Sequence, residues 1–187
     1  MNKKYAILLS YMFLFAFTQA QTNLPALDKS PMDMSYYPNA YPVQKIQDKI
    51  NEQLVARVIY GRPQKNNRVI FGDLIPYGNV WRLGANEATE IEFFKPVKIG
   101  NTKIKKGRYT LYAIPFADKW TIILNSESYT WGAFKYDIKK DIVRTNVPVL
   151  QQSETTEPLS MLFDKSSTGA NLVIVWDTIK VTLPIIF

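Results

Sequence analysis

The sequence predicts an all-β fold, a mostly antiparallel β-sandwich of about eight or nine strands, with a jelly-roll-like or barrel-like arrangement as the alternative. Three observations support this prediction. From Val55 onward, short runs rich in β-branched and aromatic residues alternate between apolar and polar positions. Turn-forming residues separate the runs, and only one short stretch shows a helical period. The chain also contains no internal repeat.

The strand-like runs follow one another along most of the chain. They cover residues 55–60, 89–94, 109–114, 120–124, 142–149, 159–163, 172–176 and 179–185. Residues 95–108 predict a hairpin with a Gly100-Asn101 turn, because alternating residues flank this dipeptide. Residues 116–119 and Asp177-Thr178 predict two further turns, the second joining the last two strands.

Alternation also predicts which side chains form the core. In the run 172–176, the odd-even pattern places Leu172, Ile174 and Trp176 on one face of the strand. In the final run, Ile179, Val181 and Leu183 are expected to face the core, while Lys180 and Thr182 face water. The sheets therefore have one buried and one solvated face.

The first twenty residues are expected to be a secretory signal peptide. Lys3 and Lys4 precede an apolar run of about a dozen residues, shorter than the roughly 20 of a membrane-spanning helix. Thr18 and Ala20 suit cleavage before Gln21. An uncleaved anchor is the alternative. Because the chain lacks cysteine and no later stretch is apolar enough to span a bilayer, we expect an exported, periplasmic or secreted protein without disulfides.

Between the signal peptide and the strands, the sequence predicts an extended N-terminal arm and a short helix. Residues 21–42 contain four prolines and no sustained period, which indicates the arm. Val43, Ile46, Ile50 and Leu54 are three or four residues apart and predict one or two helical turns over 43–54. Residues 43–187 are expected to form a single domain.

The charge of the chain does not indicate a nucleic-acid partner. Without Lys3 and Lys4, 21 basic residues stand against 16 acidic ones, so the net charge falls from +7 to +5. The densest basic stretch is the predicted hairpin at 95–108, where lysines are expected on the wet face. No recognition helix or aromatic stacking motif accompanies them. The oligomeric state is left open.

Residues 62–88 break the regular strand pattern, and with Thr89 they form what we call the long loop, residues 62–89. Loops beyond about 12–15 residues are uncommon inside compact domains and are often functional. Arginine forks bind carboxylate, phosphate or sulfate, and aromatic rings stack on ligands. The candidate ligand-binding residues are Arg62, Arg68, Tyr77, Trp81, Arg82, Asn86, Glu87 and Thr89.

A purely structural role explains the same residues equally well. The backbone groups of an irregular loop need hydrogen-bond partners, and arginine side chains can supply them. In this interpretation Arg82 pairs with Glu87, Arg68 donates to loop carbonyls, and Trp81 anchors the loop in the core.

The absence of histidine restricts the possible chemistry. It excludes Ser-His and Cys-His nucleophile pairs, histidine-based metal sites and an imidazole base. Carboxylate chemistry remains, with Glu87 as the catalytic candidate, Arg82 as its electrostatic stabiliser, and Asp73 or Glu157 as a second carboxylate. A cation site at Asp73, Asn86 and Glu87 lacks any known ligand spacing, so we expect neither a metal nor a cofactor.

A second aromatic group lies between two predicted strands. It comprises Tyr129, Trp131, Phe134 and Tyr136. Such rings could stack on sugar rings, although aromatic residues near strand ends more often fill the core. An exposed, coplanar arrangement would favour carbohydrate binding.

The long loop contains the most specific string in the chain, FGDLIPYGNVWRLGANEAT at residues 71–89. With Tyr60-Gly61-Arg62-Pro63 before it and Trp131-Gly132-Ala133 after it, this string resembles the uncharacterised domain-of-unknown-function family 2911. The resemblance extends from Val43 onward. It implies an exported bacterial β domain and brings no assigned reaction, substrate or catalytic residue. Residues 64–67, QKNN, depart from the family's usual shorter turn.

Three functions therefore remain open at the level of sequence. The first is an exported module that binds a small polar, anionic or carbohydrate ligand through the long loop. The second is a carboxylate-dependent enzyme that uses Glu87 and Arg82. The third is a structural, envelope-associated module without a small-molecule site. Exposure of the loop side chains would separate them.

Overall fold

Two antiparallel sheets make up the computed structural model, which describes residues 24–187. The predicted signal peptide therefore lies outside the described residues. The strands are β1 (Met32–Tyr37), β2 (Ala56–Gly61), β3 (Glu90–Phe93), β4 (Val97–Ile99), β5 (Thr102–Ile104), β6 (Gly107–Pro115), β7 (Lys119–Asn125), β8 (Asp141–Pro148), β9 (Leu150–Ser166) and β10 (Gly169–Ile186). A six-stranded sheet has the order β1-β2-β3-β6-β7-β8, and a four-stranded sheet has the order β5-β4-β10-β9. The predicted all-β sandwich is confirmed.

The core lies between the inner faces of the two sheets. In β3, Ile91 and Phe93 are fully buried, whereas Glu90 and Glu92 lie on the opposite face and are only partly buried. The two glutamates form ion pairs across the sheet with Arg57 and Arg108. Strict alternation thus separates apolar from charged side chains, as expected for sheets with one solvated face.

The predicted hairpin at 95–108 is present as β4 and β5. Its turn contains Gly100, whose φ of 56° lies in the left-handed region that glycine tolerates best. Val97, Ile99 and Ile104 are buried, while the lysines alternate with them toward solvent. The hairpin forms one edge of the four-stranded sheet.

The predicted turn at Asp177-Thr178 is wrong, because residues 169–186 form one continuous strand, β10. Leu172 and Trp176 face the core at even positions, but Val181 and Leu183 face it at odd positions. The phase changes at Asp177, whose φ of 56° departs from the extended conformation. The pairing of β10 with β9 shifts register on both sides of this residue, and the additional unpaired residues lie on β9.

The N-terminal region differs in two ways from the expectation. Within the predicted arm, residues 32–37 form β1, which pairs with β2 along its whole length. The predicted helix at 43–54 is shorter and earlier: α1 covers Tyr41–Ile46. Pro42 fits its first turn, and the left-handed conformation of Asp48 prevents its continuation.

The long loop is tied into the sandwich by aromatic packing. Trp81 stacks on Trp176 at 6.0 Å between ring centroids and meets Trp120 edge-on at 5.7 Å. Phe71 packs on all three rings. Residues 69–71 form no strand, since Phe71 forms only an isolated bridge with Ile75. No helix in residues 24–187 has the length and apolar character needed to cross a membrane.

Candidate functional site

The most exposed large aromatic side chains of the sandwich lie in one connection, residues 126–137 between β7 and β8, which we call the aromatic loop. Tyr129 is 80% exposed, Trp131 61% and Phe134 84%. Tyr136 is partly buried and packs edge-on against Tyr112 at 5.1 Å. In the described chain, no two of the three exposed rings pack on each other. Each ring is therefore available separately.

Backbone hydrogen bonds join the aromatic loop to residues 81–89, which we call the signature segment. The Ala88 amide donates to the Thr130 carbonyl at 2.9 Å, and the Gly132 amide donates to the Asn86 carbonyl at 3.0 Å. Glu87 lies opposite Trp131 in the resulting bridge. The signature segment thus fixes the position of the exposed rings.

Side chains hold the aromatic loop from its other side. The Glu90 carboxylate accepts a hydrogen bond from the Tyr129 amide at 2.7 Å. The Arg108 guanidinium lies 5.3 Å from the centre of the Tyr129 ring and donates to its hydroxyl at 3.2 Å. The hydroxyls of Tyr112 and Thr130 are 3.1 Å apart. These contacts preorganise the loop, so a ligand would not have to order it.

A further polar network closes the base of the aromatic loop. The Tyr136 hydroxyl donates to Asp141 at 2.6 Å and accepts from Arg144, which also pairs with Asp141 at 2.7 Å. Burial and the hydrogen bond to Asp141 raise the pKa of Tyr136 to about 12. Tyr136 therefore remains a neutral donor at physiological pH.

Two cavities adjoin the exposed rings. One, of about 580 Å³, is lined by residues of the aromatic loop, including Glu127 and Lys135, and by Tyr112 and Lys140. The other, of about 400 Å³, is lined by Glu87 and Glu90. Tyr129, Thr130 and Trp131 line both cavities and form the wall between them. Both volumes lie within the roughly 300–1,000 Å³ of small-molecule sites.

The path of the signature segment depends on two residues in the left-handed conformation and on a glycine in the neighbouring strand β2. Leu83 and Asn86 have φ values of 55° and 60°. A Cβ at Gly61 would lie 2.4 Å from the Ala85 carbonyl oxygen, so only glycine lets β2 approach the segment this closely. The buried Thr89 hydroxyl donates to the Leu83 carbonyl at 2.8 Å.

A family model described as "Protein of unknown function (DUF2911)" matches residues 41–185, which is most of the chain. The chain belongs to the DUF2911 family. The resemblance expected from residues 71–89 is therefore confirmed. No curated protein and no solved structure matches the chain.

Two predicted site arginines of this DUF2911 protein donate hydrogen bonds to acceptors of the protein itself. Arg62 donates to the Leu159 carbonyl at 3.1 Å, to Ser160 at 2.9 Å and to Asp33 at 2.8 Å. Arg68 donates to the carbonyls of Lys65 and Gln64, as the structural interpretation expected. These contacts occupy donors that an anion would otherwise use.

Trp81 and Thr89 are buried in the DUF2911 core, whereas Tyr77 and Glu87 are exposed. The Trp81 indole donates to the Gly84 carbonyl at 3.2 Å, which agrees with a role as an anchor. Asn86 donates to Asp28 at 2.9 Å. The signature segment therefore combines buried anchors with one exposed edge at Asn86 and Glu87.

The expected pairing of Arg82 with Glu87 is wrong. Arg82 instead lines a third cavity, of about 310 Å³, on the other side of the aromatic loop. Burial lowers the pKa of the Arg82 guanidinium below its usual value. Among the described residues, neither Asp73 nor Glu157 lines the cavity of Glu87; Glu90 does. No group of three or more metal-ligating side chains occurs in residues 24–187.

The supporting residues Glu90, Arg108 and Tyr112 were not among the sequence-predicted site residues. Glu90 is paired with Thr110 across β3 and β6, and Arg108 with Glu92. This register places Arg108 and Glu90 next to Tyr129, and no local sequence pattern reveals that placement. The aromatic spacing at 129–136 and the candidate Glu87 were the sequence signals for this site.

Proposed function

We propose that this DUF2911 protein is an exported binding module that holds a carbohydrate against the aromatic loop. The observation that carries the proposal is the exposure of Tyr129, Trp131 and Phe134 on a connection fixed by the signature segment. Clustered exposed rings leave apolar surface in water, and such patches mark interaction sites. The faces of sugar rings offer apolar C–H groups that pack on aromatic planes.

The lining of the cavities favours a polyhydroxyl ligand over an apolar one. Glu127 and Lys140, which form an ion pair with each other, and Lys135 bring acceptors and donors of both charges to the 580 Å³ cavity. Glu87 and Glu90 contribute carboxylates to the neighbouring cavity. Hydroxyl groups can both donate to carboxylates and accept from ammonium groups, whereas a single anion would be repelled by the glutamates.

In this proposal the long loop mainly supports the site, because the exposed rings lie on the aromatic loop. Its arginines Arg62 and Arg68 stabilise the fold, and its signature segment positions the aromatic loop. Glu87, opposite Trp131, and Ala88 are the long-loop residues that line the proposed site. Export rests on the sequence of residues 1–20, with Gln21 as the first residue of the mature protein.

Intrinsic fluorescence tests the proposal directly, because Trp131 is the one exposed tryptophan while Trp81, Trp120 and Trp176 are buried. The protein, purified from cells that express the whole chain, would be titrated with a panel of neutral monosaccharides and oligosaccharides. We expect a sugar to change the emission of Trp131 and to protect it from acrylamide. Loss of an aromatic anchor should weaken binding about tenfold or more.

Two variants provide the test and its control. Trp131→Ala should weaken the binding about tenfold or more, while Tyr77→Ala, which removes an exposed ring from the long loop, should preserve it. Both affinities would be measured by titration calorimetry, because Trp131→Ala lacks the reporting tryptophan. An unchanged affinity in Trp131→Ala would refute the site. A protein that binds no member of the panel, with both variants folded, would favour the structural interpretation. Turnover of a bound oligosaccharide that stops in Glu87→Gln would instead support the enzymatic alternative.

A further inference from the structure

Arg82 differs from the other arginines of the chain. Within residues 24–187, hydrogen bonds or ion pairs to protein acceptors engage the guanidinium groups of Arg57, Arg62, Arg68, Arg108 and Arg144. Arg82 is partly buried, and its Nε is buried without a hydrogen-bond partner, as is the Nε of Arg57. Unlike Arg57, however, Arg82 forms no ion pair with any of the described acidic side chains. Desolvation of a guanidinium without an acidic partner is unfavourable, and a bound anion would compensate for it.

Most of the other side chains that line the cavity of Arg82 are apolar. Leu74, Ile75, Pro76 and Val80 of the long loop form one side, and Ala133 and Phe134 of the aromatic loop form the other. Asn79 supplies a further polar side chain, and Trp81 also lines the cavity but donates its indole N–H to the Gly84 carbonyl. The volume of about 310 Å³ is at the lower end of the range for small-molecule sites.

We propose that this cleft binds a small carboxylate with an apolar body, the carboxylate on the Arg82 guanidinium and the body against Phe134 and the long-loop side chains. The planar guanidinium matches a carboxylate through two parallel hydrogen bonds. One guanidinium neutralises one negative charge. A phosphate carries more charge and more acceptors than Arg82 and Asn79 can satisfy, and it would leave the apolar walls in contact with water.

This proposal is independent of carbohydrate binding, because the cleft and the sugar-binding cavities share only Phe134 among their lining residues. Phe134 is 84% exposed, so its ring can adjust to a ligand on either side. The two proposals can therefore succeed or fail separately.

The test uses benzoate and hexanoate as probes, each compared with its uncharged amide and with inorganic phosphate. The protein would be labelled with nitrogen-15, and the Nε–H signal of Arg82 identified by its absence in Arg82→Lys. We expect both carboxylates to bind and to move this signal, and the amides and phosphate to leave it in place. Arg82→Met should weaken carboxylate binding roughly 10- to 100-fold.

Trp131→Ala is the matched control, and it should bind benzoate like the unmodified protein. Equal binding of benzoate and benzamide would overturn the proposal, as would carboxylate binding that leaves the Arg82 signal unmoved. Phosphate binding tighter than both carboxylates, or no carboxylate binding at all, would also overturn it. The comparison of benzoate with benzamide uses the unmodified protein, so it tests the proposal even if Arg82→Met does not fold.

Discussion

Two arginines of the long loop should respond in opposite ways to the same substitution. Arg62→Met removes three hydrogen bonds that join the loop to β1 and β9. The bond to Asp33 belongs to a partly exposed ion pair, whose side chains are 31% and 41% exposed, so it contributes at most about 1 kcal/mol. The bonds to Leu159 and Ser160 involve a charged donor and contribute roughly 1.5 kcal/mol or more each.

We therefore expect Arg62→Met to lower the free energy of unfolding by about 2–4 kcal/mol. The loss should fall in the lower part of this range if the Ser160 hydroxyl, freed from Arg62, donates fully to the Pro158 carbonyl that it already contacts. Arg82→Met removes an unpaired buried donor and replaces it with an apolar side chain of similar length. This change should leave the free energy of unfolding unchanged or raise it by up to about 2 kcal/mol.

Urea denaturation followed by circular dichroism would measure both variants, with the slope of the transition compared to detect any change in the unfolded state. A loss below about 1 kcal/mol in Arg62→Met would refute the assigned role of its hydrogen bonds. A loss above about 1 kcal/mol in Arg82→Met would show that its guanidinium stabilises the fold, against the reasoning above.

Four other predictions concern separate features. Trp131→Phe should remove most acrylamide quenching of tryptophan fluorescence, because the other tryptophans are buried; unchanged quenching would contradict the exposure of Trp131. Gly61→Ala should destabilise the fold by about 2 kcal/mol or more in thermal melts, since its Cβ would collide with the Ala85 carbonyl oxygen; a melting temperature within a degree of the parent would refute this. Because Tyr136 has a pKa of about 12 when folded and about 10 when unfolded, its contribution to stability is complete below pH 10 and is lost as pH rises toward 12; Tyr136→Phe should lessen that loss, and an unaltered pH profile would count against it. Mass spectrometry of the exported protein should place the first residue at Gln21, and a retained residue 1–20 segment would indicate an anchor.

The sequence predicted the parts of the fold that depend on local alternation and turn chemistry. The faces of β3 and the hairpin of β4 and β5 follow from period two and from Gly100-Asn101. The phase change between Trp176 and Val181 was also visible, but a turn and a bulge explain it equally well in one dimension. The pairing of β10 with β9 on both sides of Asp177 shows that the strand continues through this residue instead of turning.

The candidate site was only partly predictable for a similar reason. The spacing of the rings in the aromatic loop and the unusual composition of the long loop could both be read along the chain. The sequence could not show whether an arginine donates to acceptors of its own protein, because Arg62 and its acceptor Leu159 are 97 residues apart. Arg68 uses carbonyls three and four residues away, and only that contact follows from local geometry.

The sequence by itself determined the class of fold, the two-faced strands, the absence of histidine chemistry and membership of the family through its signature segment. Tertiary structure alone decided that Trp81 is a core anchor, that the rings of the aromatic loop point into solvent, and that Arg82 lacks a partner. The physical reason is that burial and hydrogen-bond partnership depend on residues brought together from distant strands, whereas alternation and turns depend on neighbours along the chain.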